Sequence, residues 1–253
     1  MNKIVMLMLS VFLFLFISTG YAQDMSPEAG KLYNAGNKLL KEGNYNGAIE
    51  NYNNALAIEK DYRMFYQRGV AQKKTRNLED AKYSFEECLN LNKDFLNAYN
   101  ALGGVYFQMR DFTEAIKNFE KVLELTDKDK IVKKVEKNLS LAYTKLGDQA
   151  LSDGNANKGI DYLVKSVGYN NYDAAYLKLA KIYSEIGEWD KSISASYDAL
   201  QYRSKISKGG PYFYMGVSYK GKGENDKAIE MFNKAKGDAT YKKTAEYELS
   251  LLN

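Results

Sequence analysis

The chain has 253 residues, 45% of them hydrophobic and 27% charged, a foldable composition and not that of a disordered chain, and its two prolines suit a mostly helical one. Its net charge of +4 is too mild and too evenly mixed to point to nucleic acid as a partner. It contains no histidine and one cysteine, Cys88, which leaves no intramolecular disulfide, no Ser-His or Cys-His nucleophile pair and no zinc site of the usual ligand types.

The first predicted element covers residues 1–22. Lys3 supplies a positive start, "IVMLMLSVFLFLFI" is an apolar core of 14 residues, and Gly20 and Ala22 supply small residues at its end. That pattern reads as a secretory signal cleaved after Ala22, and the apolar core falls short of the roughly 20 residues a spanning helix needs. The expectation is an exported mature chain, periplasmic or secreted, with no membrane span; an uncleaved N-terminal anchor is the alternative. No cysteine follows the apolar core to carry a lipid.

Beyond it the chain repeats itself. "EGNYNGAIENYNNALAIEKD" at 42–61 returns as "KGENDKAIEMFNKAK" at 222–236. Aligning on the small residue before the recurring isoleucine gives Ala48, Ala81, Ala115, Gly159, Ser192 and Ala228, at intervals of 33, 34, 44, 33 and 36 residues. A small residue recurs upstream at Gly36, Gly69, Gly103, Gly147, Ala180 and Gly216, where close helix packing forbids a larger side chain. Gly43, Gly154, Gly187 and Gly223 mark left-handed turns that end a first helix. Tyr52, Phe85, Phe119 and Phe232 follow four residues after the aligned position, as buried rings of a second helix.

A period near 34 built from two short helices is the pattern of the tetratricopeptide repeat. The chain resembles that family over almost all of its mature length, best in "NALGGVYFQMRDFTEAIKNFEKVLEL", which carries Leu102, Gly103, Tyr106, Ala115 and Phe119 at the family spacing. The fold class implied is all-α, a solenoid of about six helical hairpins in a right-handed superhelix, each burying its apolar face on the next. The expected organisation is repeats one to three over 23–127, a charged insert at 128–138, repeats four to six over 139–239 and a capping helix over 240–253. Ile131, Val135 and Leu139 are spaced four apart, so the insert lengthens the first helix of repeat four, over about 130–152. Repeat four is the poorest match, with Gly159, Ser166 and Leu163 in place of the usual types, and a local break in the superhelix is expected there.

No constellation for catalysis emerges. Gly103–Gly104 and Gly209–Gly210 read as packing and linker glycines, and Glu86–Glu87 as solvated carboxylates. Cys88 takes a slot held elsewhere by Ala55, Ala199 and Ala235, so it reads as a buried small residue. Trp189 stands where other repeats place Tyr45 and Phe112, so it reads as core. The glycosylation pattern "NLS" at Asn138 falls inside a predicted helix. No enzyme activity, cofactor or metal is expected.

The resemblance implies that the first helices line a concave groove for a peptide or protein segment. On that face lie Tyr33, Asn37 and Lys41; Arg63, Tyr66, Gln67, Lys73 and Lys74; Asn97, Asn100, Phe107 and Gln108; and then Lys145, Asp148, Lys178, Lys181, Glu185, Phe213, Tyr214 and Lys220. Basic residues outnumber acidic ones there, which suits an acidic or carboxylate-bearing segment. Family members that clamp a C-terminal carboxylate use Lys and Asn in repeat one, Asn in repeat two, and Lys with Arg in repeat three. Here those positions read Tyr33, Asn37, Gln67, Asn97 and Ala101, so only Asn37 fits. The segment "YAQD" after the apolar core is similar to exported proteins of the Bacteroidetes type, which implies a periplasm. The expectation is a non-catalytic scaffold of a bacterial cell envelope that binds a protein in the groove. The alternatives are a structural accessory of an envelope assembly that uses its convex face or the Lys-rich repeat-four insert, and a cell-wall glycan-associated module.

Overall fold

The computed structural model of the chain describes residues 25–252; the expected export signal at 1–22 lies outside them. Among the described residues there are thirteen helices and no strand. They run as six hairpins: α1 (Pro27–Lys41) with α2 (Tyr45–Ile58), α3 (Tyr62–Lys74) with α4 (Leu78–Leu91), and α5 (Leu96–Gln108) with α6 (Phe112–Leu125). Then come α7 (Asp129–Ser152) with α8 (Ala156–Tyr169), α9 (Asp173–Glu185) with α10 (Trp189–Gln201), and α11 (Gly209–Gly221) with α12 (Asn225–Ala235). A last helix, α13 (Lys242–Ser250), packs on α12 through Ala245 and Leu249. Each hairpin stacks on the next, which makes the chain an α-solenoid.

All six hairpins close alike. Just after the turn, a backbone N–H donates five residues back, from Asn44 to Leu39, Asn77 to Gln72, Asp111 to Tyr106, Asn155 to Ala150, Glu188 to Tyr183 and Glu224 to Tyr219. This ties off the orphan carbonyls of each first helix and requires a left-handed residue before it. Gly43, Gly154, Gly187 and Gly223 meet that need with φ between +77° and +81°. Repeats two and three lack the glycine, and Arg76 (φ +63°) and Arg110 (φ +67°) adopt the same conformation at a steric cost. Asn44, Asp111 and Asn155 then cap the second helices by accepting from the N–H groups of Gly47, Glu114 and Lys158.

The recurring small residue proves to be matched to a ring within its own hairpin. A methyl group on Gly36 would fall 2.6 Å from the Tyr52 ring, on Gly69 2.8 Å from Phe85, on Gly103 2.8 Å from Phe119 and on Gly216 2.6 Å from Phe232. All four rings are buried. In hairpin five the glycine becomes Ala180, and the aligned ring becomes Ser196, also buried, so the two positions change together. In hairpin four Leu163 meets Gly147, while Leu151 fills the space over Gly159. Ser166, in the alanine slot, is held in a buried hydroxyl cluster with Ser140 at 3.0 Å and Thr144 at 2.8 Å.

Successive first helices touch at α1–α3, α3–α5 and α9–α11, most extensively at α9–α11. The junction of α8 with α9 is the sparsest between consecutive hairpins. α7 has 24 residues where α5 has 13, and the difference lies at its N-terminal end. Val135 and Leu139 anchor those added turns against α6 through Phe119 and Val122. Nearby, the buried Asp173 carboxylate accepts from the backbone N–H groups of Ser204, Lys205 and Ile206 at 2.7, 2.7 and 3.1 Å, pinning the loop before α11. Burial alone would raise its pKa, but these bonds and that from Ala174 outweigh it and hold the carboxyl below the usual range.

Candidate binding groove

Two adjoining cavities open along the first helices of repeats two to four. One, of about 450 Å³, is lined by Tyr66, Val70, Lys73, Lys74 and Arg76 from repeat two with Phe85, and by Asn97, Asn100, Ala101 and Gln108 from α5. The other, of about 300 Å³, is lined by Lys73, Asn100, Gly104, Phe107 and Gln108 with Phe119 below, and by Lys134, Asn138 and Leu141 from α7. Lys73, Asn100 and Gln108 belong to both, so the two form a continuous trough.

Lys73 occupies the middle of it. Its Nζ lies over Gly104, so close that a methyl group there would fall 2.7 Å away. The other first helices carry Asn37, Val70, Asp148, Lys181 and Val217 at this position. Gly104 is therefore neither a helix-packing nor a linker glycine: it faces an ammonium group. Burial, followed by the like charges of Lys74 and Lys134, holds that ammonium below the usual lysine range. Among the described residues no carboxylate pairs with Lys73 or with the exposed Lys134. The Asn100 Oδ1 is buried and accepts no hydrogen bond. A buried acceptor of this kind costs about 1–3 kcal/mol until a donor reaches it. Chemically, the trough offers cations and amides over an apolar floor.

Of the residues expected to form the groove, the structure brings Tyr66, Lys73, Lys74, Asn97, Asn100, Phe107 and Gln108 to this trough. Tyr66 is fixed edge-on to Phe95 at 5.1 Å, and burial raises its pKa. Tyr33, Asn37, Lys41, Arg63 and Gln67 do not line it. Asn37 instead accepts from the Tyr52 hydroxyl at 2.8 Å, and Tyr33 packs against Tyr52 at 6.0 Å. Lys145 lines a separate cavity of about 340 Å³ with Arg110, Asp148 and Gln149. Lys178 and Lys181 line a third, of about 380 Å³, with Ile182 and Glu185.

Half of the basic residues expected along the whole face are neutralised. Arg63 is held by Asp61 at 2.6 Å, Lys178 by Asp148 at 2.7 Å, Lys181 by Glu185 at 3.8 Å and Lys220 by Glu248 at 2.7 Å. Lys41, Lys73, Lys74 and Lys145 are in no ion pair among the described residues, so uncompensated charge concentrates where α3 ends. The exposed Lys133, Lys134 and Lys137 of α7 add to it. Repeat alignment could not place Lys134 and Asn138 in the site, because the insert has no counterpart in the other repeats. One signal for them was present: Lys134 and Asn138 are four apart and share a helix face beside that of Val135 and Leu139.

Comparison with known proteins agrees with this architecture. Residues 62–95, 96–129 and 212–238 each match a family model of the tetratricopeptide repeat. The chain is 36% identical over 118 residues to DnaJ homolog subfamily C member 7 of Mus musculus, covering 44% of this chain and 23% of that protein. It is 23% identical over 239 residues to the TPR repeat-containing protein MJ1428 of Methanocaldococcus jannaschii, covering 86% of this chain and 40% of that one. The chain thus spans less than half the length of these relatives. Among solved structures, a MamA double mutant superposes with a TM-score of 0.53 at 19% identity, covering 71% of this chain and 96% of that one. YrrB, described as a TPR protein with an unusual peptide-binding site, superposes with a TM-score of 0.50 at 21% identity, covering 78% and 97%. In its matched segments and its stacked hairpins, the chain carries tetratricopeptide repeats.

Proposed function

We propose that the chain is a non-catalytic scaffold that binds an extended, acidic segment of a partner protein in the trough along α3, α5 and α7. The observation that carries this reading is the run of uncompensated lysines, Lys73, Lys74 and Lys134, beside the unpaired Asn100 oxygen. The peptide-binding site described for YrrB supports it by analogy of fold. The apolar N-terminal segment supports export, and the working place of the scaffold is then the bacterial cell envelope.

An array of immobilised 15-residue peptides of graded Asp and Glu content tests the reading. Binding should rise with acidic content, weaken with salt, and fall at least about tenfold when Lys73→Met, Lys74→Met and Asn97→Ala are combined. Binding unchanged by the three substitutions would overturn it. Tyr83 and Tyr197, 56% and 54% exposed on α4 and α10, favour a second reading in which the outer face docks onto an envelope assembly. Tyr83→Ser with Tyr197→Ser should abolish partner capture under that reading and leave the array unchanged.

A further inference from the structure

Within the trough, the 300 Å³ cavity has features that the repeat pattern does not explain. Lys134 and Asn138 belong to the turns that α7 adds beyond the length of the other first helices. Those turns bring them to the last turns of α3 and α5, beside Lys73 and Gly104. The wall so formed carries two ammonium groups and no carboxylate. Like charges set side by side destabilise each other unless an anion lies between them. Beneath them Asn100 Oδ1 is buried without a donor, and Phe107 gives a low-dielectric floor that strengthens any ion pair above it.

We infer that Lys73 and Lys134, with Asn100 below them, form a subsite for one acidic residue of a bound peptide. The two ammonium groups take its side-chain carboxylate, and the Asn100 carboxamide, once turned toward the trough, accepts its main-chain N–H at Oδ1. The side-chain carboxamide of Asn138 borders the same space. This rests on the groove reading and gives it a register: the acidic residue sits at the crossing of α3, α5 and α7. The positions that clamp a carboxylate in other members of the family are here Tyr33, Asn37, Gln67, Asn97 and Ala101, and none of them contributes. Gly104 is what admits the arrangement, because any side chain there would displace the Lys73 ammonium.

The test uses the protein with 13C-labelled lysine side chains, titrated by NMR with acetyl-Leu-Glu-Leu-amide and with its Gln twin. The Lys73 and Lys134 signals should move saturably with the Glu peptide while those of Lys41 and Lys145 stay nearly still. The Gln twin should bind about tenfold more weakly or worse, the difference expected for a charge-assisted pair. Lys134→Met and Gly104→Ala should keep the melting temperature and each weaken the Glu peptide at least about fivefold. Equal binding of the twins, or a uniform non-saturating drift of all lysines, would overturn the inference. Saturation of the same signals by inorganic phosphate but not by the Glu peptide would overturn the carboxylate assignment. If the peptide array succeeds while the tripeptides fail to discriminate, the groove stands and the subsite falls. If the tripeptides behave as stated while the array fails, the cavity takes a lone acidic residue, and the groove reading falls together with the register the subsite gives it.

Discussion

The α3–α5 and α5–α7 junctions are built from the same repeat yet end differently. At α3–α5 the residue after the packing glycine in α3 is Val70, and the cavity of about 450 Å³ there is walled by Lys73 and Lys74. At α5–α7 that residue in α5 is Gly104, and the smaller cavity there is walled by Lys73 and, from the added turns of α7, by Lys134. The difference comes from 11 extra residues in α7, 24 against 13, whose apolar side packs on α6 instead of continuing the regular stack. Lengthening one helix thus adds a wall to a cavity beside the stacked array.

The largest way to break the comparison is to undock the added turns. Leu139→Ala removes a fully buried side chain between α6 and α7 and should cost about 3 kcal/mol. Urea unfolding should show that loss, together with loss of tripeptide binding. On the other side of α7, Asp173→Ala should cost about 2–3 kcal/mol by freeing three loop N–H groups. Because the folded-state pKa of Asp173 is depressed, its contribution is complete above the unfolded carboxylate value near 3.9. It is lost as pH falls through the folded value, so an acid melting series on wild type and Asp173→Asn should converge at low pH.

Neighbouring glycines sharpen the contrast. Gly103→Ala drives a methyl group into the Phe119 ring and should cost about 2 kcal/mol. Gly104→Ala meets only the mobile end of Lys73 and should be neutral or stabilising by up to about 1 kcal/mol, read as the shift in melting temperature. The smallest effect belongs to the turns: Arg110→Gly relieves a left-handed residue and should add about 1 kcal/mol, or about 2–4 °C.

Much of this architecture was legible in the sequence because it is periodic. The spacing of Gly36, Gly69, Gly103 and Gly216 from Tyr52, Phe85, Phe119 and Phe232 carries the hairpin, and each ring is found against its glycine. What periodicity could not supply was the partner of each charge. Lys178 and Lys220 look free on an aligned face, but Asp148 and Glu248 reach them from other helices. Arg76 and Arg110 hid two turns that glycine marks elsewhere. Lys134 lies in the Lys-rich insert, where no repeat template exists to set it beside Lys73.

The account depends on one placement: the α7 extension lies across the end of α3, so that Lys134 and Lys73 share a cavity. A pH titration of the Lys73 side-chain carbon signal tests it most directly, in wild type and in Lys134→Met. The account expects Lys73 to lose its proton at lower pH than an ordinary lysine, and to shift upward when Lys134 is removed. A Lys73 that titrates like a solvent lysine, and does not respond to Lys134→Met, would contradict it.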